Sequence, residues 1–181
     1  MKNDVENYNE WITKFEKALD TSKNVGINNI ETKINDEYEI DRKELVGRIK
    51  KDSHKFISIQ GREGVGKTVI CKKCIEKEDT VLYARAERFL EENDIDKIWN
   101  FDIRKIIECL NGKKIIFFID ALEFIADAPK TKLDLLDSLY NIVQEYENAY
   151  IITSCRTSDK NAFIIVGEAG EVLGEGFKTK T

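Results

Sequence analysis

The residues Gly61-Arg62-Glu63-Gly64-Val65-Gly66-Lys67-Thr68 match the phosphate-binding pattern G-x-x-x-x-G-K-[ST]. Glycines let successive backbone N–H groups converge on phosphate oxygens, the lysine adds a point charge, and the closing threonine hydroxyl suits a magnesium ion. A Gly-rich turn can match such a pattern by chance, so the flanks decide. The apolar run Phe56-Ile57-Ser58-Ile59 leads in, and Val69-Ile70-Cys71-Lys72-Lys73-Cys74-Ile75 leads out with helical character. Strand, loop and helix then follow in the order that turns the positive N-terminal end of the helix toward the phosphates.

A second chemical signal lies at Lys113-Lys114-Ile115-Ile116-Phe117-Phe118-Ile119-Asp120. A run apolar on both faces is what a central parallel strand needs, and this one ends in an acid. Ligands of open α/β sheets bind outside the carboxyl ends of the strands, so Asp120 falls on the same edge as the glycine loop. This is the Walker B pattern, in which the carboxylate holds magnesium opposite the hydroxyl of Thr68. Glu123 is a candidate to orient or deprotonate the attacking water; its alternative is a solvated carboxylate at a helix start. Thr153-Ser154-Cys155-Arg156 end the next apolar strand. There Thr153 or Ser154 is a candidate hydrogen-bond partner for the attacking water or the γ-phosphate. Arg156 is a candidate sensor or stabiliser of phosphate charge, or else a surface arginine.

The elements that must hold these groups read as alternating strands and helices from Tyr38 to about Val166, the signature of a mainly parallel sheet with helices on both faces. Thr80-Val81-Leu82-Tyr83-Ala84 is expected as the second strand. Asp102 caps a helix with apolar positions Ile103, Ile106, Ile107 and Leu110 that stops at Asn111-Gly112. Pro129 precedes an amphipathic helix marked by Leu133, Leu136, Tyr140 and Val143; Tyr150-Ile151-Ile152-Thr153 is a short buried strand, and Ala162-Phe163-Ile164-Ile165-Val166 is expected as the last one. Ahead of this core, residues 1–38 hold an amphipathic helix with Trp11, Ile12, Phe15 and Leu19 on one stripe, then an Asn- and Thr-rich linker. The stripe either packs on the core or docks an unidentified protein partner. The expected organisation is therefore residues 1–38 as helix and linker, 39–166 as the nucleotide-binding core, and 167–181 as a flexible tail rich in Gly, Glu, Lys and Thr.

A chain of 181 residues with 41% hydrophobic content supports one globular domain with appendages. No stretch approaches the ~20 apolar residues of a membrane span, and the first residues lack an apolar signal region. A cytoplasmic location is expected. The net charge of −5, with both signs interspersed, carries no overall footprint for nucleic acid. Cys71 and Cys74 form a C-x-x-C with no second pair, and His54 is the single histidine, so reduced, partly buried thiols are expected rather than a zinc site.

The stretches Ile115-Ile116-Phe117-Phe118-Ile119-Asp120-Ala121-Leu122-Glu123 and Ile151-Ile152-Thr153-Ser154-Cys155-Arg156 resemble the ATPase core of the STAND class, signal-transduction NTPases related to AAA+ proteins. Ile40-Asp41-Arg42-Lys43-Glu44-Leu45 is similar to the short Arg-containing box that precedes the loop in that class and lies near the nucleotide base. The resemblance spans about residues 38–165. It implies a P-loop fold of ASCE type, with the strand around 150–153 between those around 56–60 and 115–119. It also implies ATP and Mg2+ as ligands, contacts to nucleotide from residues 61–69 (ending in Val69) and Arg42, slow hydrolysis, and self-association in a signalling or defence switch. Two departures stand out. Phe124 occupies a position where many members carry a second acid, and the chain is expected to be truncated before the helical lid that usually follows. A P-loop small-molecule kinase and a nucleotide-binding fragment without turnover are the competing readings.

Overall fold

The computed structural model describes residues 2–32, 42–51, 54–125 and 128–156, with side chains from Glu10 onward. Among the described residues its sheet has four strands, all parallel: β1 (Phe56–Gly61), β2 (Val81–Arg85), β3 (Ile115–Asp120) and β4 (Ala149–Arg156), in the spatial order β1-β4-β3-β2. β4 thus lies between β1 and β3, as the resemblance implies. The registers run Gly61↔Arg156, Ile119↔Thr153 and Arg85↔Asp120, so the carboxyl ends of the strands finish together on one edge.

Helices cover both faces. One face packs Phe56, Leu82, Ile115, Phe117, Ile119 and Ile151 against α5 (Ile95–Trp99), α6 (Ile103–Cys109) and α7 (Lys130–Glu145). The other packs Ile57, Ile59, Val81, Ile116, Phe118 and Ile152 against α3 (Lys67–Ile75) and Ile49 of α2 (Lys43–Lys50). Successive strand residues point to opposite faces, so a strand buried on both must be apolar throughout. Every residue of β3 is buried accordingly. Helix ends follow local chemistry. The carboxylate of Asp102 accepts from Lys105 N at 3.1 Å to open α6, and left-handed Asn111 and Gly112 follow its end.

The amino-terminal segment departs from a helix followed by a linker. α1 (Lys2–Thr21) runs directly into a π-helical turn, Ser22–Ile27, with Asn28 N donating to Lys23 O at 2.8 Å. Trp11, Phe15, Ala18 and Leu19 pack on the core, and Phe15 meets Phe101 edge to face at 5.5 Å. The turn covers the outer edge of β2, where Tyr83 N donates to Ser22 Oγ at 2.9 Å. An edge strand would otherwise present that N–H unpaired. Between β2 and α6 the chain forms the short helices α4 (Arg88–Glu91) and α5, for which the sequence carries no clear periodicity. The strand expected at 162–166 and the tail 167–181 lie outside the described residues.

Candidate functional site

The loop from Gly61 to Thr68 joins β1 to α3 at the carboxyl edge of the sheet. Gly64 (φ 74) and Gly66 (φ 81) hold left-handed backbone, which side chains with a Cβ rarely adopt. Gly66 is the N-cap of α3 and brings no side chain to its amides, so the first turn keeps donors for an anion. Lys67 Nζ donates to Arg62 O at 2.9 Å, which folds the side chain back over the loop. Arg62, Glu63 and Val65 are exposed, while Thr68 and Val69 are half-buried in the first turn of the helix.

Asp120, at the end of β3 and 8% exposed, is the centre of the polar cluster. Its Oδ1 accepts from Thr68 Oγ1 at 2.8 Å and from the Ser154 hydroxyl, and Tyr83 Oη stands 3.5 Å from Oδ2. Burying a carboxylate without hydrogen-bond donors is costly, and these hydroxyls supply them to Asp120. Its charge is felt nearby. Burial, and then Asp120, push the Cys71 thiol far above its ordinary value and likewise raise the Tyr83 phenol, so both keep their protons at neutral pH. After Asp120 the chain turns through Ala121 at φ 59, a left-handed conformation unusual for alanine. Ala121 N donates to Ser154 Oγ at 2.9 Å, so Ser154 ties this turn and the carboxylate together.

Glu123 and Arg156 meet across the same edge. Arg156 Nε lies 2.9 Å from Glu123 Oε1, and Arg156 N donates to Glu123 Oε2 at 3.2 Å, so both carboxylate oxygens are engaged on a side chain only 9% exposed. Arg156 Nη2 also reaches Glu63 Oε1 of the glycine loop at 2.9 Å. The guanidinium therefore links β4, the loop and the turn after β3.

Thr153 is placed differently. Alternation along β4 sets Ala149, Ile151 and Cys155 in the core beside α6 and α7, and Thr153 shares their face, opposite the one carrying Ser154. Its Oγ1 is buried without a hydrogen-bond partner among the described residues. Arg42 precedes α2 and, with Lys43, Glu44, Leu45 and Arg48, lines a hollow of about 570 Å³. No motif in the sequence marks Tyr83, whose nearness to Asp120 depends on how β2 registers on β3. Period-two alternation on the Thr80–Ala84 run was the one signal available.

Thr68 and Asp120 together offer a hydroxyl and a carboxylate, hard oxygen donors of the kind magnesium takes. Comparison with protein-family models gave no match, and neither did comparison with curated proteins. Among solved structures, the chain is similar to AMPPCP-bound DnaA from Aquifex aeolicus, with a TM-score of 0.50 and 15% identity over 77% of this chain and 48% of that one. It spans about half the length of that structure. A structure on katanin self-assembly aligns at TM-score 0.45 and 15% identity, over 73% of this chain and 44% of that one. The likeness to DnaA shows the fold alone, a parallel α/β core with helices on both faces.

Proposed function

We propose that the chain binds ATP with magnesium and hydrolyses it slowly, as the nucleotide core of a STAND-like regulatory switch that self-associates in its active state. The observation that carries this reading is the 2.8 Å contact between Thr68 Oγ1 and Asp120 Oδ1 at the end of a Gly61–Thr68 loop that enters α3 through Gly66 with no side-chain cap. The bound AMPPCP of the similar DnaA structure, an ATP analogue, supports the same ligand class. Pairing of β1 with β4 speaks against the kinase-type sheet, in which the loop strand would neighbour β3.

In this reading the amides of residues 61–68 hold the phosphates, and Lys67 exchanges the Arg62 carbonyl for a phosphate oxygen. Thr68 and Asp120 would hold magnesium, which would supply neutralisation of phosphate charge. Glu123 orients the attacking water, and Arg156 stabilises charge on the transferred phosphoryl group. Both groups are paired with each other here, so turnover requires Arg156 to turn away and release Glu123. That same pairing favours the second reading, a nucleotide-binding module without turnover.

Titration calorimetry tests the binding step. ATP with magnesium should bind the wild-type chain, and Lys67→Ala should abolish the heat. Equal affinity in the two proteins would refute the loop assignment.

A further inference from the structure

Tyr83 sits where the amino-terminal segment meets the metal carboxylate. Its backbone is held on both sides, N–H donating to Ser22 Oγ at 2.9 Å and O accepting from Trp99 Nε1 at 3.2 Å. The ring is boxed in: its edge meets Phe118 at 5.3 Å, and a Cβ built on Gly26 would fall 2.2 Å from Tyr83 Cδ1, so residue 26 must be glycine for the turn to lie against the ring. The hydroxyl then stands 3.5 Å from Asp120 Oδ2, within reach of a hydrogen bond that a small tilt of the ring would tighten. Thr68 and Ser154 both use Oδ1, so among the described residues Tyr83 is the group on the other oxygen.

We propose that Tyr83 is a positioning residue for Asp120, and that the Ser22–Ile27 turn sets magnesium affinity by fixing where the Tyr83 hydroxyl stands. This deepens the magnesium–ATP reading above and rests on it. A tyrosine hydroxyl has one O–H to donate, and Asp120 Oδ2 is the acceptor it faces. Donation to Oδ2 holds the carboxylate plane with Oδ1 toward Thr68. A shift of the amino-terminal segment would move Gly26, tilt the ring and release that hold. The segment would thereby communicate with the nucleotide site without touching nucleotide.

The test uses calorimetry on the full chain, with ATP titrated at fixed magnesium concentrations and in EDTA. Tyr83→Phe keeps the ring and its packing. It should raise the magnesium concentration for half-maximal ATP binding about 10-fold or more, the usual effect of removing a group that orients a metal ligand. Binding in EDTA should stay within about 2-fold of wild type. Gly26→Ala should weaken magnesium in the same direction, yet add nothing in a Tyr83→Phe background, because the path through the hydroxyl is already cut. Should Gly26→Ala fold poorly by its melting profile, Ser22→Ala takes its place. Unchanged magnesium dependence in Tyr83→Phe, with wild type binding normally, overturns the positioning role alone. A full additional effect of the turn variant in the Tyr83→Phe background overturns the coupling. Absence of magnesium-dependent binding in wild type overturns the nucleotide reading, and this proposal falls with it.

Discussion

Adjacent residues Thr153 and Ser154 are predicted to respond to loss of their hydroxyls with opposite sign. Thr153 is 4% exposed and its Oγ1 has no partner among the described residues, so the folded state carries a desolvated hydroxyl that the unfolded chain returns to water. A buried polar group left unpaired costs about 1–3 kcal/mol. Valine has nearly the same shape without that group, so Thr153→Val should stabilise by about 1–2 kcal/mol. For a chain of this size that raises the melting temperature by roughly 2–8 °C. Ser154, 1% exposed, donates to the Asp120 carboxylate and accepts from Ala121 N. Ser154→Ala removes a bond to a charged group and strands the Ala121 N–H, so it should destabilise by about 2–4 kcal/mol. Urea denaturation and thermal melts by circular dichroism measure both changes. Phosphate release is read in parallel, and Thr153→Val should leave it unchanged while Ser154→Ala lowers it. A destabilised Thr153→Val, or one that loses turnover as Ser154→Ala does, would refute the assignment of the two hydroxyls to opposite faces of β4.

Glu123→Gln should keep ATP affinity, because the side chain faces Arg156 rather than the glycine loop, while phosphate release falls about 10²–10⁴-fold; wild type and variant releasing phosphate equally would remove the general-base role. The thiols should separate by burial. Cys109 is exposed, whereas Cys71 is raised far above its ordinary value and Cys74 to about 11, in both cases mainly by burial. At pH 8 only about one in a thousand Cys74 groups is then thiolate, so a thiol reagent should label Cys109 rapidly and the three buried cysteines, Cys71, Cys74 and Cys155, only as urea unfolds the chain. The sign follows from those raised values: folding holds these protons on, so the stability tied to Cys71 and Cys74 is present below their unfolded pKa near 9 and is lost as pH climbs through the folded ones. Denaturation midpoints should accordingly drop between about pH 9 and 11.

What was legible in the sequence was what local chemistry dictates. The glycines at 64 and 66 announce left-handed backbone, the all-apolar run to Asp120 announces a strand buried on both faces, and Asp102 with Asn111-Gly112 brackets a helix. Residues within a few positions of one another determine each of these, through steric limits on φ, period-two alternation and capping. Positions 86–101 stayed silent because α4 and α5 are too short for periodicity to register, and tertiary packing on Phe89, Ile98 and Trp99 holds them.

Pairings between distant segments were decided only in the folded chain. Motifs alone place Thr68 and Asp120 on one edge, but the 2.8 Å contact requires β4 to lie between β1 and β3 in the observed register. That register also carries Arg156 to Glu63 and Glu123, which are far from each other in sequence. Whether Thr153 or Ser154 faces Asp120 is a matter of strand parity, and one residue of slip would exchange them. The Asn-rich stretch after Thr21 reads as linker because polar residues near a helix end carry no periodicity. It becomes a π-turn against Tyr83 because the free edge of β2 offers an unpaired N–H and a ring face that Ser22 and Gly26 fill. Local sequence sets the conformations a segment can take; the unsatisfied groups of its spatial neighbours select among them.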